Sequence, residues 1–258
     1  MHAPNARPPM LLGLLSVVVL SLAAGTPRDG CCQAPGAEPP PARREYMGRR
    51  VAQTMHYLGA PWLVRESRDR EEEPAKLMAA LDVRPGQTVC DLGCGNGFYT
   101  LKLAERVGPR GRVFAVDIQE EMLTLLAERS QARGLVNIRP VLGGPYDPKL
   151  PAGEVDLILL VDVYHEFSYP QLMLAAMRQS LSPRGRVALV EYRAEDRAVP
   201  IKPLHKMTQA QCVKEYTANG YKLTGQYDGL PWQHLLFFAR DDSPLDATPL
   251  KPWAPAAD

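Results

Sequence analysis

Asp91, Gly93, Gly95, Gly97 and Asp117 are the residues whose types and spacing first point to chemistry. Four of them fall in Asp91-Leu92-Gly93-Cys94-Gly95-Asn96-Gly97, between the apolar run Gln87-Thr88-Val89-Cys90 and a helix-like run over 98–107. Alternate glycines permit positive φ and let a ligand approach the backbone, while the following helix offers unpaired N–H groups at its start. Twenty residues beyond Gly97, Arg112-Val113-Phe114-Ala115-Val116 ends in Asp117, where a second parallel strand sets a carboxylate over a ribose diol. Strand, glycine loop, helix, strand and acid together describe one nucleoside pocket.

The loop reads G-x-G-x-G, with Phe98 where a dinucleotide fingerprint requires its third glycine, which disfavours a pyrophosphate cradle. Asp91 argues the same way, because a carboxylate at the strand end attracts an ammonium group and repels phosphate. The motif Val89-Cys90-Asp91-Leu92-Gly93-Cys94-Gly95-Asn96-Gly97, with Val116-Asp117, resembles the class I S-adenosylmethionine-dependent methyltransferases over roughly residues 81–240. That resemblance implies S-adenosyl-L-methionine as cofactor. It also implies an α/β fold, a Rossmann-like, mostly parallel sheet of seven strands in the order 3-2-1-4-5-7-6, with helices on both faces and the last strand antiparallel. Asp91, Gly93, Cys94, Gly95, Gly97, Asp117 and Asp162 are the expected cofactor contacts, and Ile118 and Met122 line adenine and ribose by the same resemblance. Relatives often supply an acid to the adenine amine after the third strand; here that segment reads Gly143-Gly144-Pro145-Tyr146-Asp147, with only Asp147 in reach.

Val155-Asp156-Leu157-Ile158-Leu159-Leu160-Val161 has the near-continuous apolarity of a central parallel strand buried on both faces. Asp162-Val163-Tyr164-His165-Glu166-Phe167 follows at its carboxyl end, where open α/β sheets place ligands. His165, with Tyr164 and Glu166, is the expected catalytic group: a base near neutral pH, its tautomer set by Glu166 or Asp162. The alternative is a histidine that caps the next helix or packs beneath the cofactor. Helical spacing predicts helices over 119–133 and 171–181, and Thr208 opens another with a capping box that stops at Gly220. Strands are expected over 136–142, 186–192, 221–227 and 234–238. His205 and Lys206, in the loop before Thr208, either contact an anionic or carbonyl substrate or sit in solvent.

With 258 residues, 45% of them hydrophobic, the chain can bury a full enzyme-sized core. Its 30 basic and 29 acidic residues leave a net charge of +1, which gives no nucleic-acid footprint, and pairs such as Arg43-Arg44 and Arg49-Arg50 read as a solvated approach to the domain. Residues 10–24 are an apolar run behind Arg7, read with its flanks as a signal peptide over 1–25 that exports the chain, with a retained membrane anchor as the alternative. A Pro- and Gly-rich tether over 26–44, a helical cap over 45–80 carrying Tyr57 and Trp62, the main domain over 81–240 and a mostly disordered tail over 241–258 complete the organisation. The run 70–73 is read as the polar face of a cap helix. Of five cysteines, Cys90, Cys94 and Cys212 read as small apolar residues, and Cys31-Cys32 as an exposed pair, with lipidation the alternative. No H-E-x-x-H, paired C-x-x-C or G-x-S-x-G occurs, so no metal centre or hydrolase is expected. Two functions follow: methyl transfer to a small-molecule or lipid-soluble acceptor, or noncatalytic binding of S-adenosylmethionine or S-adenosylhomocysteine as a sensor.

Overall fold

The computed structural model describes residues 1–2 and 40–255. The chain divides into two units, Met1–Pro40 and Pro41–Asp258, and the second carries every element of the described residues. The expected signal segment and the Cys31-Cys32 pair lie outside the described residues. No helix among the described residues is long and apolar enough to cross a membrane.

Pro41–Asp258 opens with a small antiparallel hairpin, β1 (Glu45–Tyr46) and β2 (Arg49–Arg50). Arg49 was expected in solvent; instead its guanidinium is forked onto the buried Glu215 (2.6 and 3.1 Å) and donates to the His165 carbonyl at 3.0 Å. A bidentate pair is the arrangement in which an arginine best recovers its lost hydration. After a 3-10 segment at Tyr57–Val64 come α1 (Arg68–Glu72) and α2 (Pro74–Ala80). The single helix expected there is broken because Pro74 disfavours helical backbone before it, and Glu73 takes a left-handed φ of 44°.

The main sheet is built from β3 (Thr88–Leu92), β4 (Arg112–Asp117), β5 (Ile138–Leu142), β6 (Val155–Val161), β7 (Leu181–Tyr192), β8 (Tyr221–Tyr227) and β9 (Gln233–Arg240). Their order across the sheet is β5-β4-β3-β6-β7-β9-β8, with β9 antiparallel to both neighbours and the remaining pairs parallel. Each number exceeds the expected 3-2-1-4-5-7-6 by two, because the unforeseen hairpin takes the first two places. The connections are α3 (Phe98–Val107), α4 (Glu120–Ala132), α5 (Pro170–Ser180) and α6 (Gln209–Ala218).

β6 shows why the sheet is a two-sided core. Leu157 and Leu159 pack with Leu77, Leu103 and Leu126 of α2, α3 and α4, whereas Ile158 and Leu160 pack with Leu174, Met177 and Tyr216 of α5 and α6. Period-two alternation sends successive side chains to opposite faces, so a strand covered on both sides must be apolar throughout. Thr208 caps α6 as its sequence suggests, its hydroxyl accepting from the Gln211 N–H. β5 starts at Ile138, two residues later than expected, because Val136 lies 81% exposed in the turn after Gly134. β7 starts earlier than expected, at Leu181, and absorbs Ser182-Pro183-Arg184-Gly185 as an irregularity in its pairing with β6.

The expected disordered tail is tied down over 241–255. The Thr248 N–H donates to Leu223 O of β8, Gln226 exchanges side-chain hydrogen bonds with the Lys251 backbone, and Arg193 lies 4.6 Å from the Trp253 ring centroid. Proline-rich composition hid this role: the segment covers the exposed edge of β8, which would otherwise present unpaired backbone.

Gly97 starts α3 at a φ of 84°, and a Cβ there would collide with the Leu126 side chain of α4. Gly97→Ala is expected to lower unfolding free energy by about 1–3 kcal/mol through left-handed strain and overpacking. Urea denaturation checks this, and wild-type stability would show that α3 and α4 can separate at no cost.

Candidate functional site

Parallel pairing brings the carboxyl ends of β3, β4, β6 and β7 together, and a cavity of about 550 Å³ opens there. Its floor is the glycine loop. Gly93, Gly95 and Gly97 all have positive φ, and the Gly93 and Cys94 N–H groups donate to Val116 O, which binds the loop to the end of β4. A Cβ on Gly93 would lie 2.5 Å from Val163, and one on Gly95 would lie 2.5 Å from Leu63, so both positions need glycine for space as well as for backbone angle. Asp117, at the end of β4, is held by the Gly95 N–H and the Gln119 N–H, each at 2.9 Å. Each oxygen is thereby fixed, with acceptor capacity left for a ligand diol.

Of the expected site residues, Gly93, Gly95, Asp117, Ile118, Met122, Asp162, His165 and Glu166 line this cavity. Asp91, Cys94, Gly97 and Tyr164 do not. Asp91 lies beneath the loop and accepts from the Thr100 hydroxyl at 2.6 Å, so it braces α3 against β3 instead of facing a ligand. Cys94 is buried among core side chains, and Gly97 belongs to the start of α3. Tyr164 was expected to be catalytic. The 3-10 turn Tyr164–Glu166 points it the other way from its neighbour, into the core, where it donates to Glu215 at 2.7 Å and packs on Tyr216 and Phe167. Gly144 and Pro145 border the cavity where the adenine acid was sought, while Asp147 accepts from the Lys149 N–H of its own turn.

The cap forms the opposite wall. Asn96 donates to Ala60 O at 3.0 Å, and Gln119 joins the Tyr57 N–H to Met55 O, so the 3-10 segment is fastened over the glycine loop. Trp62, Leu63, Arg65, Arg68 and Glu72 thereby face the cavity, whereas Tyr57 does not. Sequence reasoning missed Arg68 and Glu72. Glu72, 1% exposed, accepts from Arg65 (2.8 Å), Arg68 (2.7 Å) and the Tyr192 hydroxyl (3.0 Å), tying the cap to the end of β7. The i,i+4 spacing of Arg68 and Glu72 was a signal, but in isolation it also describes a surface ion pair.

Burial shifts two acids beside the cavity, Asp162 and Glu166, toward their neutral forms. Asp162 holds a left-handed φ of 53°, accepts from Gln233 at 2.6 Å through one oxygen and has no partner on the other, which is buried. Burial, reinforced by the Glu72 and Glu191 carboxylates, pushes its pKa well up. Burial also raises Glu166 to about 7, against the pull of His165.

His165 is fixed by a group outside the expected pair. Glu191 of β7 accepts from the His165 backbone N–H at 3.1 Å and from Nδ1 at 2.6 Å, so neither Glu166 nor Asp162 sets the tautomer. Burial alone would lower the His165 pKa, but the charge and hydrogen bond of Glu191, with Glu166, carry it upward. Its Nε2 meets Nδ1 of His205 at 3.0 Å. Burial, His165 and Lys202 lower the pKa of His205. The loop read as either a substrate contact or a solvated connection therefore delivers His205 to the cavity. Lys206 turns back to the Asp196 and Val199 carbonyls.

A methyltransferase-domain family matches residues 84–236, more than half of the chain. The chain belongs to this family and carries its methyltransferase domain. It is 37% identical over 116 residues to a nocamycin O-methyltransferase from Saccharothrix syringae, a match covering 44% of this chain and 41% of that protein. It is 32% identical over 115 residues to a demethylmenaquinone methyltransferase from Geobacillus stearothermophilus, covering 45% and 49% respectively. The matches span about half the length of these curated relatives or less. A solved S-adenosylmethionine-dependent methyltransferase from Aquifex aeolicus shares the fold at a TM-score of 0.68 and 24% identity, over 72% of this chain and 98% of that one.

Asp91 supplies a pH test of the loop's foundation. Burial raises its pKa to about 6 despite the bond from Thr100. A raised folded-state pKa means that the stability contributed by the protonated acid is complete below the unfolded value, near 3.8, and is lost as pH rises through about 6. Asp91→Asn, which stays neutral, is therefore expected to gain on the wild type by roughly 2–3 kcal/mol between about pH 4 and pH 7. Urea denaturation across that range measures the difference, and a difference that ignores pH would show Asp91 ionised throughout.

Proposed function

We propose that this protein transfers the methyl group of S-adenosylmethionine to an oxygen or carbon atom of an apolar small molecule. The observation that carries this reading is the shared cavity: the glycine loop, Asp117 and Asp162, one of whose oxygens is buried without a partner, line the same space as His165, Glu166 and His205. When bound, S-adenosylmethionine supplies an electrophilic methyl group on a sulfonium. The residues present suit it. Gly93 and Gly95 would offer close backbone, Asp117 would accept from the ribose hydroxyls, Ile118 and Met122 would flank the base, and the unpaired Asp162 oxygen would receive the amino acid's ammonium.

Trp62, Met173, Phe167 and Ile201 give the cavity apolar walls. Such walls favour a hydrophobic acceptor held by few polar groups. In-line displacement requires alignment first, which the walls provide. An acceptor that must lose a proton also needs a positioned polar group, and His165, locked by Glu191, is that group. The relatives' names point toward oxygen methylation of nocamycin and methylation of demethylmenaquinone, and the cavity's apolar walls suit a small organic acceptor.

We also propose export, with membrane association through the N-terminal segment if the apolar run 10–24 is retained. Intact mass of protein from its native host is expected to show a chain beginning near Thr26; a retained Met1 would assign the anchor, and an added diacyl mass would assign lipidation at Cys31.

Calorimetry tests the cofactor end: Asp117→Ala is expected to weaken S-adenosylmethionine and S-adenosylhomocysteine alike by about 2–3 kcal/mol, and wild-type affinity in the folded variant would overturn the assignment. Transfer of labelled methyl into a panel of phenols, enols and quinols tests the reaction. With an acceptor in hand, His165→Ala should leave cofactor affinity near wild type and lower turnover by roughly 10²–10⁴-fold.

A further inference from the structure

Three potential ligands converge at the acceptor end of the cavity, although the sequence shows no metal motif. The His165 and Glu166 donor atoms and that of His205, 40 positions further along, all lie within 4.8 Å of one another. We infer that His165 Nε2, His205 Nδ1 and the Glu166 carboxylate form a site for a divalent transition-metal cation of the zinc, cobalt or ferrous class, which holds an oxygen of the acceptor. This inference rests on the small-molecule methyl-transfer reading and names how that site grips its substrate.

Geometry is the first argument. Two ligand atoms each about 2.1 Å from one ion are about 3.0 Å apart at right angles and about 3.4 Å apart at a tetrahedral angle, and the two ring nitrogens, at 3.0 Å, stand at the near end of that range. The rings are nearly perpendicular, at 86°, so they approach a common point from different directions. A Glu166 oxygen is 3.9 Å from His165 Nε2, within reach of a carboxylate rotation. The surroundings are the second argument. A metal-binding histidine usually donates its other ring nitrogen to a carboxylate, which fixes the tautomer and makes the ligating nitrogen more basic. Glu191, fully buried, does this at 2.6 Å.

Charge is the third argument. Glu166 and Glu191 together balance a divalent cation, and the nearby Arg49 is already forked onto Glu215. Lys202 is the remaining cation beside His205, and it lines the cavity. Two imidazoles and one carboxylate are a borderline donor set, suited to zinc and its neighbours more than to magnesium or calcium. Three protein ligands leave positions open toward the cavity, the arrangement of a catalytic site as opposed to a structural one. A hydroxylated or enolic acceptor can fill one of them.

The test uses the full chain, stripped with a chelator and titrated with zinc chloride by calorimetry and with cobalt chloride by visible absorption. One cation per chain is expected, with a cobalt ligand-field spectrum typical of mixed nitrogen and oxygen ligation. His205→Ala and Glu166→Gln are each expected to weaken binding by at least about 10–100-fold. Thermal melts confirm that the variants fold, and the near-isosteric Glu166→Gln keeps the test decisive if His205→Ala does not. Two results would overturn the site: no cation bound by the wild type, or binding that persists unchanged in a folded variant, which would place the ion elsewhere, for example at Cys31-Cys32. S-adenosylmethionine affinity measured on the same samples separates failure of the metal site from failure of the methyltransferase reading.

Discussion

Parallel pairing of β3 with β4 on one side and β6 on the other is the constraint from which the site follows. The register sets Leu92 beside Val116 and Asp91 beside Leu159, so the three strands end almost level. Helices cover both faces of the sheet, and backbone beyond the strand ends has nowhere to go except into turns. Those turns must reverse within a few residues to reach α3, α4 and the Tyr164–Glu166 segment. Positive φ at Gly93, Gly95 and Gly97 achieves this in the first turn, and Asp162 accepts the same conformation in the third. A non-glycine residue held left-handed has a cost of about 1–2 kcal/mol, so surrounding structure must compensate it. Here the Asp162 N–H bond to Val190 O and the Gln233 contact do so, and they hold the Asp162 carboxyl beside the cavity.

Electrostatics gives the cavity its character. Asp162, Glu72, Glu166 and Glu191 bring four carboxyl groups to one end of the sheet, against Arg65 and Arg68 from the cap. Burial dominates at Asp162 and Glu166, whose pKa values rise although each has a favourable neighbour. Each pKa unit corresponds to about 1.4 kcal/mol of preference for the neutral form, a preference that a cationic group placed beside the carboxylate reverses. Glu72 is different: two arginines and a tyrosine satisfy it, so it serves the architecture. The site therefore separates acids that hold the cap from acids that favour a positively charged ligand.

Local patterns made the fold legible. The glycine spacing with Asp117, the unbroken apolar run of β6 and the cap at Thr208 each depend on neighbours in sequence, and each specifies its element. The site was legible only where function is written in backbone or at strand ends, as at Gly93, Gly95, Asp117, Asp162 and His165. Tyr164 and His165 are adjacent, both capable of proton chemistry, and only the 3-10 turn decides which faces the core. Glu191 lies within an apolar strand and appears in sequence as one charged residue before a loop; its partner is 26 positions away. Arg68 and Glu72 were hidden for the same reason, since tertiary pairing, not spacing, takes them out of solvent, and spacing left His205 between a substrate contact and a solvated loop. The tail was misjudged because prolines argue against regular structure without arguing against a docked, extended strap.

The cap is held differently from the core, and this bears on how ligands enter. Between the glycine loop and the 3-10 segment the fastenings are single polar contacts: Asn96 to Ala60, and Gln119 to Met55 and Tyr57. Hydrogen bonds of this kind contribute about 0.5–1.5 kcal/mol each, whereas the leucines and valines that bind α2, α3 and α4 to the sheet contribute about 1.5–3 kcal/mol apiece. Trp62 is half exposed and Leu58 more so, so the segment buries little apolar surface of its own. Opening at this wall thus requires breaking a few modest bonds and leaves both cores intact. Arg68 and Glu72 are the exception, since they are buried, join Leu63 to Tyr192, and mark the point beyond which the cap belongs to the rigid body.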